Sequence, residues 1–519
     1  MNGSRWPLSR QHVQVGVAAM AVGLLLTAGG ALAAVPSINP AVEEPLGPAR
    51  ARLLLTRAGF APAVDEVAQL APLSHRAAVD RLLADAGTGA TALTPPPKWV
   101  NERIIMPREL RAMSDEQRRQ EIRKQIGYAI ELRGWWLQEM AGTPAPLGER
   151  MTLFWHNHFV SAQPKVRATQ LMFRQNVLLR RHALGNFGEL LHAVAKDPAM
   201  LVYLDSATSR KERPNENFAR EVMELFTLGE GRYTETDVKE AARAFTGWSI
   251  DLRAEQFVFR GAWHDNGEKT VLGKQGRWRG EDVLDILLAH PATAETIVRK
   301  LWLEFVSPQP DPERVAAIAA RFRADYSVAA AVRLLLLQPE VITRTEENAL
   351  VKSPVELMVG LTRQSGGALR PRVAALATAS MGQNLFSAPN VRGWPGGEAW
   401  ITTQTLLARK QLVARVLSPP APPAMTAEVD EGTEEAAGAQ ANPKEGLRRL
   451  LARVPPLFVP AERWLGGMGL HPERTADSEH VSAAAAQLLV LPPHLPPADD
   501  TLGLDAVRQL LLDPVYQLK

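Results

Sequence analysis

The helical character of this chain is clearest in the stretch RPNENFAREVMELF, residues 213–226. Asn215 suits the N-cap of a helix, and Glu216 then falls in the first turn, beside the positive end of the helix dipole. Three polar side chains fall within about 60° of one another on that helix, namely Asn217, Glu221 and Glu224. The opposite side is apolar and consists of Phe218, Val222, Leu225 and Phe226. The stretch therefore predicts an amphipathic helix with two carboxylates and an amide on its polar side.

The whole chain has the composition of a helical globular protein. It has 519 residues, of which 46% are hydrophobic and 22% are charged, so it can bury a core large enough for two or more domains. Leu, Ala and Arg recur at helical spacing, whereas long alternations of β-branched and polar residues are scarce. We therefore predict an all-α protein, built as a multi-helix array, with a minor short β-hairpin near residues 255–275.

Changes in composition divide the chain into five regions. Pro95–Pro97 separates a small N-terminal bundle from a long charged helix across Asp115–Met140. Proline, alanine, glycine and acidic residues dominate from Ser418 to Glu445, which predicts a flexible segment. The predicted regions are a signal peptide (1–33), an N-terminal helical region (34–95), a main helical domain (96–417), a flexible acidic and proline-rich linker (418–445) and a C-terminal helical region (446–519). The last region either packs back on the main domain or forms a small subdomain.

The first residues have the pattern of an export signal. Arg5 and Arg10 precede an apolar centre at Val15–Leu26, and Ala31 and Ala33 supply the small residues of a signal-peptidase site. We expect cleavage after Ala33 on the general secretory route, because no arginine pair precedes the apolar stretch. An uncleaved anchor is the alternative, but the strongly apolar part is shorter than the ~20 residues that span a membrane. The predicted location is periplasmic or secreted, with no membrane span after cleavage.

Cysteine content and net charge exclude several functions. The chain has no cysteine, so disulfides, thiolate nucleophiles and Cys-ligated zinc are excluded. Removing residues 1–33 takes away Arg5 and Arg10 and lowers the formal net charge from +3 to +1. Because so small a charge creates no large positive field, we do not expect nucleic-acid binding.

Two histidines stand in the aromatic stretch FWHNHF, residues 154–159. On a regular helix His156 and His158 point to nearly opposite sides, so both can bind one ion only if the helix ends or bends there. They are therefore either ligands of a divalent metal ion or core histidines at the end of a helix.

Two loops carry further candidate residues. His264 and Asp265 lie in the polar stretch WHDNGEK, where they either orient a base or bind a metal ion, or merely build an Asx turn. Trp394 and Trp400 stand on a loop stiffened by proline and glycine, residues 388–401. Their rings either form a stacking platform for a sugar or fill the core.

A series of motifs runs through the chain in order. It includes Phe154–Phe159, Asp197–Leu201, Asn215–Phe226, Thr246–Trp248, His264–Asp265, Lys352–Glu356 and Asn390–Ile401. This series, which covers nearly all of residues 50–415, resembles the bacterial family known as domain of unknown function 1800. The resemblance implies an exported, predominantly helical protein without a settled activity, often encoded beside a sulfatase-like partner. It transfers no catalytic residue, but its motifs coincide with the polar groups described above.

Two functional hypotheses follow. In the first, the chain is a glycoside hydrolase or a metal-dependent hydrolase that acts on a polysaccharide or another envelope substrate. The candidate catalytic residues are Glu221, Glu224 and Asp265, the candidate substrate-binding residues are Asn215, Asn217, Trp248 and Trp394, and the candidate metal ligands are His156, His158 and His264. In the second, the chain is a non-catalytic scaffold or partner of a co-exported sulfatase-like enzyme, and the same side chains form a buried network. At least two carboxylates facing a pocket would favour the first hypothesis, whereas Glu221 and Glu224 buried against Arg220, Arg243 or Lys269 with no open cavity would favour the second.

Overall fold

Helices in this chain begin where a polar cap or a proline precedes an apolar repeat. Ser114 starts a helix of 28 residues. Its hydroxyl accepts from the N–H of Gln117 at 3.2 Å, and the Gln117 side chain accepts from the N–H of Ser114 at 3.0 Å. Ser353 forms the same reciprocal cap with Glu356, ahead of Pro354. Because a cap satisfies N–H groups that have no partner inside the helix, the local sequence fixes these starts.

A computed structural model describes residues 44–88, 91–417, 451 and 454–519. The predicted signal peptide and the predicted linker lie outside these residues. Glu43–Lys519 forms one compact unit, which includes the described residues of the N-terminal, main and C-terminal regions. No helix in the described part of the chain is long and apolar enough to span a membrane.

The described residues are mainly helical, as predicted. The helices that precede the predicted amphipathic stretch are α1 (Gly47–Ala58), α2 (Val64–Leu70), α3 (His75–Thr88), α4 (Pro107–Ala112), α5 (Asp115–Gly142), α6 (Pro146–His158), α7 (Gln163–Val166), α8 (Thr169–Arg181), α9 (Phe187–Ala195) and α10 (Pro198–Tyr203). Those from that stretch to the described C-terminal end are α11 (Glu216–Glu221), α12 (Glu235–Ala244), α13 (Gly280–Ala289), α14 (Pro291–Phe305), α15 (Pro312–Asp325), α16 (Val328–Leu336), α17 (Pro354–Ser365), α18 (Pro371–Ser380), α19 (Thr403–Val416), α20 (Ala461–Gly466), α21 (Ser478–Leu488) and α22 (Gly503–Leu512).

The β-structure of the described residues consists of short antiparallel pairs. These are β1 (Trp248–Asp251) with β2 (Gln256–Phe259), β3 (Lys269–Val271) with β4 (Lys274–Gly276), and β5 (Ala368–Leu369) with β6 (Leu457–Phe458). In the first pair Trp248 lies opposite Phe259. The prediction of a helical protein with minor hairpin structure near residues 255–275 is therefore confirmed.

Two hydrophobic clusters form the core. The first includes Trp155, Phe187 and Trp302, and the second includes Trp136 and Met358. The C-terminal region packs on the second cluster, where α22 contacts α19. The final residues are bound there as well, because the N–H of Lys519 donates to the carbonyl of Leu350 at 2.8 Å.

Helix α6 contributes to both clusters and carries two fully buried charges. Glu149 accepts from the indole Nε1 of Trp136 at 2.7 Å and from Arg180 Nε at 2.5 Å. Arg150, the next residue, pairs with Glu304 at 2.7 Å and also with Glu356. Because an unpaired charge is costly to bury, these pairs hold α6 in one position. The C-terminal end of α6, which carries the two histidines of the aromatic stretch, is fixed with it.

Candidate functional site

The predicted amphipathic helix is present, and its hydrogen-bonding pattern changes halfway. Asn215 caps α11, and the chain continues from α11 directly into a π-helical segment, Val222–Thr227. There the N–H of Leu228 donates to the carbonyl of Met223, five residues back, at 2.8 Å. Such π-helical turns are rare and frequently occur at functional sites. Glu221 lies at the end of α11 and Glu224 in the π-helical segment, so the polar side of the helix spans the junction.

Side chains from two other helices satisfy carbonyl groups of the π-helical segment. Lys300 of α14 donates to the carbonyl of Leu225 at 2.8 Å, and His158 Nε2 donates to the carbonyl of Phe226 at 3.2 Å. Lys300 also donates to His158 Nδ1 at 3.2 Å, which requires the neutral Nε2–H tautomer of that imidazole. Burial lowers the pKa of Lys300 to about 8. Burial, and then the charge of Lys300, hold the pKa of His158 well below its ordinary value.

Glu224 is held by two partners. One carboxylate oxygen accepts from Arg392 Nη2 at 2.7 Å, and the other accepts from the hydroxyl of Tyr233 at 2.5 Å. Burial, and then the contact with Glu224, raise the pKa of Tyr233 to about 12, so its hydroxyl remains a donor at neutral pH. Arg392 also pairs with Glu230. The Glu224 side chain keeps an exposed fraction of 16%, and its position is fixed.

Glu221 has different surroundings, although it lies less than one turn away. It is half-buried, and no group in the described part of the chain donates a hydrogen bond to its carboxylate. Burial raises the pKa of Glu221, repulsion from Glu224 raises it further, and Arg392 and Arg220 oppose both effects. Glu221 in turn contributes, after burial, to the raised pKa of Tyr203. Two neighbouring carboxyl groups in unlike environments are a recurring arrangement of acid–base sites.

The end of α6 fastens the loop that carries Arg392. His156 Nε2 accepts from the N–H of Phe386 at 3.1 Å. The Asn157 side chain accepts from the N–H of Trp394 at 2.8 Å and donates to its carbonyl at 3.2 Å. Gly393 permits this approach, because its φ is +81° and a Cβ there would lie 2.3 Å from Asn157 Oδ1. Together with His158, these side chains position the two segments that bring Glu224 and Arg392 together.

The structure gives the three predicted histidine ligands separate partners. The Nε2 lone pair of His156 accepts the hydrogen bond from Phe386, and burial lowers the pKa of His156 to about 3. Both ring nitrogens of His158 are hydrogen-bonded. His264 donates from Nδ1 to a main-chain carbonyl at 2.8 Å, and the nearby charges of Lys269 and Arg279 disfavour a cation beside it. Within the described ranges, no three His, Cys, Asp or Glu side chains are arranged to hold a metal ion. His156 and His158 therefore have the environment of core histidines at a helix end, and His264 is buried in its loop.

Asp265 is occupied in fixing its loop. One oxygen accepts from the N–H of Gly267 at 2.7 Å, which closes the Asx turn considered in the sequence analysis. The other accepts from Arg243 Nε at 2.8 Å, and this contact is the main reason that the pKa of Asp265 is lowered. Lys269 donates to the Asp265 carbonyl at 2.5 Å. We therefore do not include Asp265 in the candidate site.

The predicted substrate-binding residues fall into two groups. Trp248 is fully buried against Phe245, with ring centroids 5.0 Å apart, and Trp394 is 5% exposed, so neither offers a free face to a sugar. Asn215 is used as the cap of α11, where its side chain accepts from the N–H of Asn217 at 2.9 Å. Asn217 itself stays on the partly exposed polar side, one turn before Glu221.

Three residues of the site were not identified from the sequence. Arg392 and Tyr233 bind Glu224, and Lys300 supports the π-helical segment. Arg392 lies in the loop of residues 388–401, which the sequence marks by its proline, glycine and tryptophan residues. Lys300 carried no such signal, since it stands in an ordinary amphipathic helix.

A separate groove with a volume of about 590 Å³ lies beside α5. Trp99, Tyr128 and Trp135 line it together with Pro95–Pro97, and it includes neither Glu221 nor Glu224. The rings of Trp99 and Tyr128 are stacked on each other with centroids 4.8 Å apart, so these faces are already covered. The groove is therefore not part of the candidate site.

The fold and the site together define a helical protein with a carboxyl pair at an α-to-π junction. The family described as "Protein of unknown function (DUF1800)" matches residues 53–509, so the chain belongs to that family. The resemblance noted in the sequence is thereby confirmed. No curated protein and no solved structure matches the chain.

Proposed function

We propose that this chain is an exported hydrolase that cleaves glycosidic bonds in a polysaccharide, with Glu221 as the general acid. One observation carries the proposal. Glu221 is half-buried without a hydrogen-bond donor in the described part of the chain, next to Glu224, whose carboxylate is held by Arg392 and Tyr233. Carboxyl pairs in unlike environments supply the acid and the stabilising anion of glycoside hydrolases.

Each residue of the pair has its own part in the proposed reaction. Glu221 donates its proton to the oxygen of the leaving sugar as the bond from that oxygen to the sugar carbon breaks. Positive charge develops on the sugar ring, and the fixed carboxylate of Glu224 stabilises it. Water then adds to the carbon and gives a proton to Glu221, which restores the acid. The net change is the addition of one water molecule across one glycosidic bond.

A non-catalytic scaffold, or a partner of a co-exported sulfatase-like enzyme, is the second candidate. Asp265 favours it, because that carboxylate is paired with Arg243 and closes a turn. The buried hydrogen bonds of His156 and His158 are also those of a packing network. In this alternative the polar motifs stabilise the arrangement of the helices and bind no substrate.

Release of reducing sugar ends from a panel of polysaccharides distinguishes the two. For the polysaccharide that is cleaved, we expect Glu221→Gln to lower kcat about 10²- to 10⁴-fold, because the proton donor is removed. Glu313→Gln, at an exposed position of α15, is the matched control and should retain full activity. A wild-type chain that cleaves nothing on the panel would contradict the hydrolase and favour the scaffold, whereas a fully active Glu221→Gln variant would contradict the role of Glu221 as general acid.

A further inference from the structure

We propose that an exposed basic face beside α11 binds an acidic polysaccharide, and thus that the substrate carries carboxylate groups. The face consists of Arg210, Lys211, Arg213, Arg260 and Arg279. The assignment of this polymer as substrate rests on the proposed hydrolase function, whereas the binding itself does not.

The cations of the basic face lack the partners that other surface arginines have. Arg220, for example, forms two hydrogen bonds with Glu235, at 2.7 and 2.8 Å, and Arg333 forms two with Asp80, at 2.6 and 3.1 Å. In the described ranges, no carboxylate forms an ion pair with a side chain of the basic face, although the charge of Arg260 contributes, after backbone hydrogen bonds, to the lowered pKa of Asp251. The adjacent Asp265 is already occupied by Arg243. The face therefore presents positive charge that is available to an anionic ligand.

Aromatic rings orient the arginines of this face. The guanidinium of Arg210 lies 4.0 Å from the ring centroid of Trp263, and that of Arg260 lies 5.0 Å from the same ring. Arg279 lies 5.5 Å from the ring of Phe259. Stacking of a planar guanidinium on a ring leaves its N–H edge free and restricts its rotation, which reduces the entropy lost when it binds a carboxylate.

The main chain and a hydroxyl hold these rings and arginines in place. The turn that carries Arg210 is attached to Trp263, because the N–H of Lys211 donates to the Trp263 carbonyl at 2.8 Å. Arg260 Nε donates to Ser249 Oγ at 3.2 Å, and Ser249 donates onward to a main-chain carbonyl at 3.0 Å. The face is thus a preorganised surface, which is what high affinity for a repeating ligand requires.

The basic face lies next to the candidate site along the chain. Its turn is followed by Asn215, the cap of α11, whose N–H donates to Ser209 Oγ at 3.1 Å. Glu221 stands about 9 Å further along the helix axis than Asn215, given a rise of about 1.5 Å per residue. One polymer can therefore contact the arginines and reach Glu221, whereas a small anion contacts the arginines alone.

Three features favour a carboxylated polysaccharide over nucleic acid or a membrane. The Trp263 ring is covered by guanidinium groups, so it does not serve as a platform for an unstacked base. The formal net charge of the chain is only +3, which is small for a protein that binds nucleic acid through phosphates. Phe259, with 37% exposure, is a small apolar area for insertion into lipid. The fork of an arginine side chain, by contrast, matches a carboxylate in two hydrogen bonds.

Calorimetric titration of the mature chain with alginate, a polymer of uronic acids, tests the inference. We expect binding to alginate that weakens as salt is raised, and no binding to neutral dextran. Arg210→Gln/Arg260→Gln should weaken alginate binding about ten- to hundredfold, the loss expected for charged hydrogen bonds. Arg299→Gln/Arg321→Gln, which removes two exposed arginines elsewhere, is the matched control and should bind as the wild type does.

Each other outcome overturns the inference. Equal binding of dextran and alginate would show that charge does not drive binding. An unchanged Kd for alginate in Arg210→Gln/Arg260→Gln would show that alginate does not bind at this face. Tighter binding to duplex DNA or to phosphatidylglycerol vesicles, lost in the same variant, would assign the face to nucleic acid or membrane instead. Glu221→Gln separates the two proposals, because it should lower the rate of cleavage as stated above but keep alginate binding.

Discussion

The proton affinity of Glu221 is decided by opposing influences on a single carboxyl group. Burial and Glu224 raise its pKa, while Arg392 and Arg220 lower it. Glu224 differs from it in its contacts, because Arg392 and Tyr233 bind both of its oxygens. At the scale of one residue, the arrangement therefore places a carboxyl group without a hydrogen-bond donor beside one whose position is fixed.

Replacing Arg392 with Gln should move the pH dependence of this site. The variant loses a cation that lowers the pKa of Glu221, so that pKa should rise further. Because a general acid must be protonated, the rate falls as pH rises through this pKa, and the alkaline limb of kcat/KM should move to higher pH. A ¹³C NMR titration of glutamate-labelled protein measures the same shift without substrate. Glu230→Gln, which keeps Arg392 on Glu224, is the comparison, and identical titrations of Glu221 in the wild type and Arg392→Gln would refute the effect.

At the scale of elements, the site depends on contacts between segments that are distant in sequence. The π-helical segment is supported by Lys300 from α14 and His158 from α6, and the Arg392 loop is fastened by Asn157. These contacts satisfy main-chain groups, while Glu221 stays half-buried and the Glu224 side chain keeps an exposed fraction of 16%. Mutations in α6 should therefore affect the site even though its side chains do not touch Glu221.

The pair Gly393→Ala and Gly396→Ala isolates the contact of the Arg392 loop with α6. Both glycines have positive φ, +81° and +72°, so alanine strains the backbone at both positions, and Gly396, with its ψ of −170°, lies in a region that only glycine adopts readily. Only at Gly393 would the new Cβ collide with Asn157, since nothing lies within 4 Å of the Cβ position at Gly396. We expect Gly393→Ala to lower the urea midpoint more and to reduce activity at least about tenfold through displacement of Arg392. Equal losses in the two variants would mean that the contact does not position the loop.

At the scale of the whole molecule, ionisable groups are buried where the C-terminal region meets the main body. Lys352 is 5% exposed, and its ammonium nitrogen donates to the Tyr516 carbonyl at 2.8 Å. Lys519 pairs with Glu356, which also binds Arg150 of α6. This junction therefore links three distant parts of the chain through buried polar contacts.

Lys352 should make the stability of the protein increase with pH in the alkaline range. Burial, and then Arg409 and Lys519, lower its pKa from 10.5 to about 7, so between these values the folded chain has lost a proton that the unfolded chain still binds. Unfolding then takes up a proton, and the free energy of unfolding from this group rises with pH across that window. Urea titrations at pH 7 and pH 9.5 should give a smaller rise for Lys352→Met than for the wild type. Lys239→Met, at an exposed site on α12, should match the wild type, and a rise in Lys352→Met as large as the wild type's would disprove the assignment.

The sequence predicts local features of this protein better than its long-range contacts. The helix with Asn217, Glu221 and Glu224 on one side follows from periodicity within a single stretch, as does the Asx turn at Asp265. The π-helical geometry does not follow from periodicity. It is supported by Lys300, which lies 75 residues from Leu225, and a contact over that distance produces no repeating pattern in the sequence. The pairing of Glu224 with Arg392, 168 residues away, is hidden for the same reason. The motif of His156 and His158 cannot by itself distinguish metal ligands from buried histidines at a helix end, because both use the same residue type.

The contact of Lys519 with Leu350 has a consequence for the order of assembly. Synthesis proceeds from the N-terminus, so the partners that complete the second cluster leave the ribosome long after α5 and α6. Arg150 meets Glu356 only when more than two hundred further residues have been translated, and Lys519 joins them later still. Contacts between residues that are far apart in sequence form more slowly than contacts between neighbouring helices. Until Val507–Leu511 and Lys519 have been translated, a nascent chain cannot complete the second cluster around α5 and α6.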